Sequence, residues 1–574
     1  MKAFSTLVPC IFVFSLVFVV LAQPVTPGNE GTDANALLQV VQPDGAAATA
    51  RERMECGSEF RTINGVCTNN LLKLWASTGR AQGSLSRYSS SLNPTGTKLP
   101  SARHISNVLS RQAADVFNDR NLNELLVFFG QFIDHTMVIT PAGETKMPIP
   151  IPTDDPIFAN FSGGQLGFKR SQRVRVDLHG LIGVSAGKTS PLQLNIERPV
   201  NSLTSVLDLS SVYGSELKRS RALRTFSGGK LKTSAGNLLP RNDMGLTNAP
   251  LPTSAYFVAG DTRSNEHPVL TSLHTLWLRE HNDLCEELSS KFPSWDDDLL
   301  YNMSRKISGA EFQKIVLEEF YPAIVGKSLP PYRGFNGLTN PVMLDVFTTA
   351  AFRVGHTMVG NKVNRRGPGN SIMSPLTMES MFFRLASKLT GGIEQFLRGA
   401  MQTKAQEIDV QVHNALRNFL FTGIPEEDVF FDLIALNIQR GRDHAIPKFN
   451  EIRKSLGIPL AAGFSGITKK ANVQSALQTA YGTVDKVEAW IGLVAEDHVS
   501  GSSLGRTMIA VWEKQFKALR DGDRFYYRNN MFDEELKDKI PRVKALFSKT
   551  STFKSVVTRN TDIVNAEIPS RIFF

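Results

Sequence analysis

Residues 121–138 read NLNELLVFFGQFIDHTMV, and the fold turns on how this stretch is read. Its apolar run predicts a buried helix. Gln131 and His135 stand one helical turn apart and share a face, with Asp134 adjacent to both. An amide, a carboxylate and an imidazole are costly to bury unless each has a partner or a task. A lone histidine there would suit an ordinary core helix. Three such groups on one apolar helix point to a site.

Three further segments carry more polar chemistry than a core needs. The first, AGDTRSNEH at 259–267, places Arg263 and Glu266 at the entrance of an amphipathic helix over 268–292. Helix capping and a surface ion pair are the ordinary explanations there. The second, FRVGHT at 352–357, sets His356 in an apolar helix. It is either a satisfied core imidazole or a metal or haem ligand, and Gly355 would let a flat cofactor approach the backbone. In the third, ALNIQRGRDH at 435–444, Arg440, Arg442 and Asp443 could form an ion-pair network. A buried Asn437 is also what would hold the second nitrogen of a ligating imidazole.

Two buried histidines, an arginine and an asparagine together suggest a histidine-ligated haem. A haem peroxidase needs an axial imidazole on one face, and a base and a cation on the other. A zinc hydrolase is the inorganic rival. It lacks any closely spaced ligand set such as HExxH.

Bulk properties bound the remainder. The 574 residues are 41% hydrophobic and 21% charged, the balance of a large globular protein. The net charge of +10 is spread along the chain, apart from a modest concentration over 514–554. Such a surface suits weak attraction to acidic polysaccharide, and nothing resembles a nucleic-acid module. Lys2, an apolar run over 7–21 and the small-residue end Val20-Leu21-Ala22 mark residues 1–22 as a signal peptide. No other stretch has the length of a transmembrane helix, so the expectation is a secreted, extracellular protein without a membrane anchor. Residues 23–55 read as a flexible leader or propeptide, and 56–574 as one domain. Helical periodicity recurs over 299–321, 342–358, 405–420, 429–439 and 505–519, with Arg173–Val176 a rare strand candidate. The fold class is therefore mainly α with very little β. Cys56 and Cys67 form the natural disulfide pair of an oxidising compartment, while Cys285 reads as a buried thiol. Asn160 and Asn302 head glycosylation sequons.

Nine segments in order resemble the animal haem peroxidase superfamily: FRTINGVC, PSARHIS, GQFIDH, TSVLDLSSVYGSE, AGDTRSNE, LHTLWLREHN, AFRVGHT, LNIQRGRDH and LRDGDRF. The resemblance covers about residue 56 to the C-terminus and implies a peroxidase using haem b. It implies that His135 is the distal base, that Arg263 stabilises charge on the breaking O–O bond, and that Gln131 is the distal amide near water and halide. His356 would be the proximal iron ligand, with Asn437 accepting from its other nitrogen. Arg353 and Arg440 would meet the haem propionates, and Asp134 and Glu266 would esterify haem methyl groups. Hydrogen peroxide and small electron donors are the implied substrates, in host defence or extracellular matrix cross-linking.

Departures from the family pattern refine this. His267 stands where some members carry a methionine bonded to a haem vinyl group, so that third linkage should be absent. Chloride oxidation is correspondingly disfavoured, leaving bromide, iodide, thiocyanate or phenols. The family's calcium loop resembles Thr204, Val206, Asp208 and Ser210, but Thr136 replaces an aspartate ligand and should weaken the site. A cyclooxygenase-type oxygenase would need a tyrosine three residues before the proximal histidine, where this chain has Arg353. A non-enzymatic adhesion role is the third reading, against which the intact set of His135, Arg263, His356 and Asn437 stands.

Overall fold

Long runs of apolar residues at helical spacing leave few ways to bury them except helix against helix. The computed structural model describes residues 56–57, 59–85, 99–159, 164–176, 196–383, 389–418, 431–529 and 531–574. The expected signal peptide, the whole leader and Asn160 lie outside these. The helices that position the site are α1 (Ala102–Leu109), α2 (Glu124–Met137), α3 (Ser210–Tyr213), α4 (Pro268–Lys291), α5 (Asp297–Ile315), α6 (Gly355–Met358), α7 (Glu394–Met401), α8 (Leu433–Asp443) and α9 (Arg506–Asp521). Strands are short and peripheral. Arg173–Val176 pairs antiparallel with Ile196–Asn201, as its alternation suggested, and Arg80–Ala81 extends the same small sheet.

The central element is α2. Apart from Gly130 every residue in it is buried, the condition of a helix apolar on all sides. Its first turn is closed by Asn123, whose side chain accepts from Leu126 N at 3.3 Å. Helices α3, α4, α6 and α7 pack around it. Phe129 anchors one side against the rings of Phe312, Phe320, Phe553 and Phe573. The start of α4 is fixed by Pro268 in its first turn and by His267, whose Nδ1 accepts from Val269 N. Asp432 caps α8 by accepting from Ile434 N and Ala435 N.

Two expected helices are broken by competition for their backbone groups. The 342–358 segment divides into Asp345–Thr349, a tighter turn at Ala351–Val354, and α6. Trp512 and Trp490 donate their indole N–H groups to Ala351 O at 3.0 Å and Arg353 O at 3.3 Å. A continuous helix would keep those carbonyls for itself. Within 405–420 only Asn414–Asn418 is helical among the described residues. Earlier amides there serve other segments: Ala405 N donates to Leu122 O, Gln406 N to Met358 O, and Val412 N to Ser110 O. The 299–321 helix passes through a π-helical turn at Val316–Phe320 and continues as α-helix to Val325, and α8 runs to Asp443, beyond the expected end at 439.

Cys56 and Cys67 are disulfide-bonded with Cα atoms 5.3 Å apart, and Cys285 is a buried free thiol. Asn302 lies half-buried on α5, where its amide donates to Asp298 O, and Ser304 of the same sequon is fully buried. Among the described residues no helix is long and apolar enough to cross a membrane.

Candidate functional site

Helix α2 presents Gln131, Asp134 and His135 at its C-terminal half, all buried. The loop before α4 lays Arg263 beside them. Its Nη1 reaches Asp134 Oδ2 at 3.4 Å, and its Nη2 donates to Val138 O at 3.0 Å. The residue that organises this corner is Asp261, which the sequence reading passed over. Its carboxylate accepts from Arg263 Nε and Nη2 at 2.9 Å each and from the Arg263 backbone N at 2.8 Å. The same carboxylate lies 3.5 Å from His135 Nδ1. A fork-on-carboxylate contact fixes orientation as well as charge. The available signal was a carboxylate two residues before the arginine in one short loop.

Electrostatics assign the protonation states. Burial and the adjacent Arg263 cation hold the His135 imidazole well below its ordinary value, against the opposing pull of Asp261. His135 is therefore neutral near pH 7 and able to take up a proton. Burial pushes the Asp261 carboxyl up, but the charge and hydrogen bonds of Arg263 outweigh it and keep the group ionised. Arg263 stays a cation because Asp261, with Asp134 and Glu266, offsets its desolvation. Glu266 is fully buried at the end of this loop, and His267 stacks its ring on Phe128 of α2 at 4.1 Å.

The facing wall comes from α6 and the turn before it. Arg353, Gly355 and His356 line a cavity opposite Leu126, Gln131 and Asp134. His356 Nδ1 lies 2.7 Å from Asn437 Nδ2. The expected pairing is present, with the amide turned the other way: its nitrogen meets the ring, because Asn437 Oδ1 accepts from Arg353 Nη1 at 3.1 Å. Burial and the Arg353 charge lower the His356 pKa well below its usual value, leaving the neutral form that ligates metals. Burial and nearby Arg440 bring Arg353 itself down to about 9. Arg440 spends Nη1 on Lys169 O, Ser171 Oγ and Asp443 Oδ2.

The expected calcium residues also converge, but on one another. Thr204 Oγ1 donates to Asp208 Oδ2 at 2.8 Å, Asp208 Oδ1 accepts from Ser210 N, and Ser210 Oγ donates to Thr136 O. Thr136 Oγ1 meets Ser211 Oγ at 2.8 Å. Val206 is buried within the same loop. Among the described residues no group of three His, Cys, Asp or Glu side chains could hold a metal ion.

Several buried polar atoms here have no hydrogen-bond partner among the described residues: both amide atoms of Gln131, both ring nitrogens of His135, Nε2 of His267, and Nε and Nη2 of Arg440. Each such atom costs about 1–3 kcal/mol in a sealed interior. Gln131 lines the cavity itself and His135 follows it by one helical turn, so unspent polar groups on α2 stand across from His356 and Arg353, a donor set that fits a flat anionic cofactor carrying a metal.

Comparison with known proteins agrees with that donor set. Residues 60–573 match the family model described as animal haem peroxidase. The chain is 32% identical over 491 residues to peroxinectin A of Dictyostelium discoideum, covering 83% of this chain and 88% of that one. It is 30% identical over 601 residues to eosinophil peroxidase of Homo sapiens, covering 93% and 81% respectively. Among solved structures, peroxidase A of Dictyostelium discoideum superposes with a TM-score of 0.80 at 28% identity, over 90% of this chain and 100% of that one. A fatty acid alpha-dioxygenase of Oryza sativa shares the fold, with a TM-score of 0.74 at 17% identity over 90% and 87%.

Proposed function

This chain belongs to the animal haem peroxidase family and is a peroxidase, and from that premise we propose that the cavity between α2 and α6 is where haem and hydrogen peroxide meet. The observation that carries this is the Asp261 bridge, which sets a neutral base and a fixed cation together beside a cavity walled on its far side by His356.

Bound haem supplies the iron at which peroxide is reduced and donors are oxidised. His356 would hold that iron through Nε2 in the tautomer that carries its proton on Nδ1, which calls for Asn437 to turn its amide oxygen from Arg353 to the ring when haem is bound. Arg440, with two guanidinium nitrogens to spare, and Arg353 take the propionates. Asp134, whose Oδ2 lies 3.4 Å from Arg263 Nη1, and Glu266, buried at the end of the same loop as Arg263, would form the ester links. His135 accepts the peroxide proton and returns it to the departing oxygen. Arg263 bears the negative charge that develops as the O–O bond stretches. Gln131 orients water or halide with its unspent amide. Thr204, Val206, Asp208 and Ser210 form a weakened calcium loop, since Thr136 contributes no anionic oxygen.

Bromide, iodide, thiocyanate and phenols such as tyrosine are the donors, with His267 in place of the third haem linkage. The signal-like start directs the protein outside the cell, to oxidant production in defence or to matrix cross-linking, and its diffuse positive charge favours acidic polysaccharide. Arg353 at the position where a radical tyrosine would stand argues against fatty-acid oxygenation. The test is a peroxide-dependent assay with guaiacol and bromide on wild type and His135→Ala, with the absorption spectrum before and after acid–acetone extraction. We expect a Soret band that remains with the polypeptide and activity lost in the variant. Undiminished variant activity would refute the role of His135, and no Soret band after haem supply would refute the whole reading.

A further inference from the structure

A second line of oxidisable and basic side chains runs along α4, away from the cavity. His274, His281 and Cys285 recur at helical spacing on one face, and all are fully buried. His274 begins the line: its ring centroid lies 6.3 Å from that of His135, and its Nδ1 lies 3.1 Å from Ser211 O. Seven residues along, about 10 Å by helical rise, His281 Nδ1 lies 3.1 Å from the hydroxyl of Tyr213.

The tautomer of this pair is fixed by its surroundings. His281 Nε2 lies 2.9 Å from Gly229 O, and a carbonyl only accepts, so Nε2 carries the proton. Nδ1 is left as an acceptor, and the Tyr213 hydroxyl donates to it. Tyr213 is fully buried, and burial raises its pKa well above the ordinary value. Losing a proton alone or an electron alone would leave an isolated charge in a low-dielectric interior. Losing both, with the proton passed to His281, leaves a neutral phenoxyl group and puts the positive charge on the imidazole, which burial and the Arg224 and Arg305 cations oppose and the Nε2–H bond to Gly229 O supports. The neighbouring tyrosine has no such base: Tyr301 shares its hydroxyl with Ser220 and lies under the Arg224 cation at 4.1 Å.

The pair is also joined to the proposed active site through α3. Ser211, two residues before Tyr213, meets Thr136 beside His135, and its carbonyl accepts from Asp261 N at 2.9 Å. We propose that Tyr213, with His281 as its proton acceptor, is a redox-active tyrosine that stores one oxidising equivalent from the haem site. The proposal rests on the haem reading above. One electron leaves the phenol for the peroxide-oxidised haem site, which is thereby reduced by one equivalent. The O–H bond breaks and its proton forms an N–H bond at His281 Nδ1, while Nε2–H stays with Gly229. A small one-electron donor then restores the phenol, and the proton returns from His281.

The test uses holoprotein shown by its Soret band to contain haem, mixed with hydrogen peroxide without a donor and freeze-quenched for electron paramagnetic resonance. A tyrosyl radical is expected in wild type and in Tyr301→Phe. In Tyr213→Phe that signal is lost while the Soret band and its response to peroxide remain. In His281→Gln a shift of the radical's g-values is expected, because the hydrogen bond from a protonated imidazole is gone. A full signal in Tyr213→Phe, an unshifted signal in His281→Gln, or no tyrosyl signal in wild type that consumes peroxide would each overturn the proposal. A wild-type Soret band indifferent to peroxide would overturn the haem reading and this inference with it.

Discussion

Asp261 grips Arg263 through Nε and Nη2 at 2.9 Å each while standing 3.5 Å from His135, so one buried carboxylate sets both the cation and the base. Removing its charge while keeping its shape isolates that function. Asp261→Asn should slow the reaction with peroxide by roughly a hundredfold, the lower end of what general-base catalysis contributes. It should also destabilise the fold by about 3–5 kcal/mol, because the Arg263 cation is left buried without its counter-charge. Stopped-flow peroxide kinetics and thermal unfolding check both, and a variant matching wild type in both would refute the bridge.

The depressed His135 pKa fixes a pH dependence. Burial and Arg263 keep the ring neutral, so acidification through the ordinary histidine range should not protonate it. The peroxide rate should stay level as pH falls through about 6.5, declining only at distinctly lower pH. An inflection at the ordinary histidine value would contradict the assignment.

Asn437 touches both His356, the proposed metal ligand, and Arg353, a proposed propionate contact. Asn437→Leu should weaken haem retention about tenfold to a hundredfold, as loss of a partner that orients a ligand generally does. Apomyoglobin competition for haem measures this directly; retention equal to wild type would show that the amide does not hold His356.

Glu124, in the first turn of α2, has its carboxyl pushed up to about 8 by burial and by the Asp115 charge. A raised folded-state pKa favours folding while the group is protonated, and the advantage is lost as pH rises towards 8. Glu124→Gln should therefore gain stability relative to wild type as pH climbs from 5 to 9, an interval spanning both states of the carboxyl. Chemical denaturation at several pH values reads the difference, and a pH-independent gap would count against a buried carboxylate here.

Much of the site was legible because it rests on local pattern. Gln131, Asp134 and His135 are on one helix, so their proximity follows from spacing alone. The strand at Arg173–Val176 and the Cys56–Cys67 bond were legible for the same reason, alternation in one case and short separation in the other. The helical readings over 342–358 and 405–420 failed at places where indoles or distant chain segments claim the backbone groups that a helix would use.

By itself the sequence determined a mainly helical domain, a buried polar helix at 121–138 and the residue types that haem chemistry needs. Only the tertiary structure decided that Asp261 joins Arg263 to His135, that Asn437 turns its oxygen to Arg353, and that Tyr213 meets His281. Those relations depend on which donors and acceptors meet across distant segments, and periodicity along one segment does not encode them.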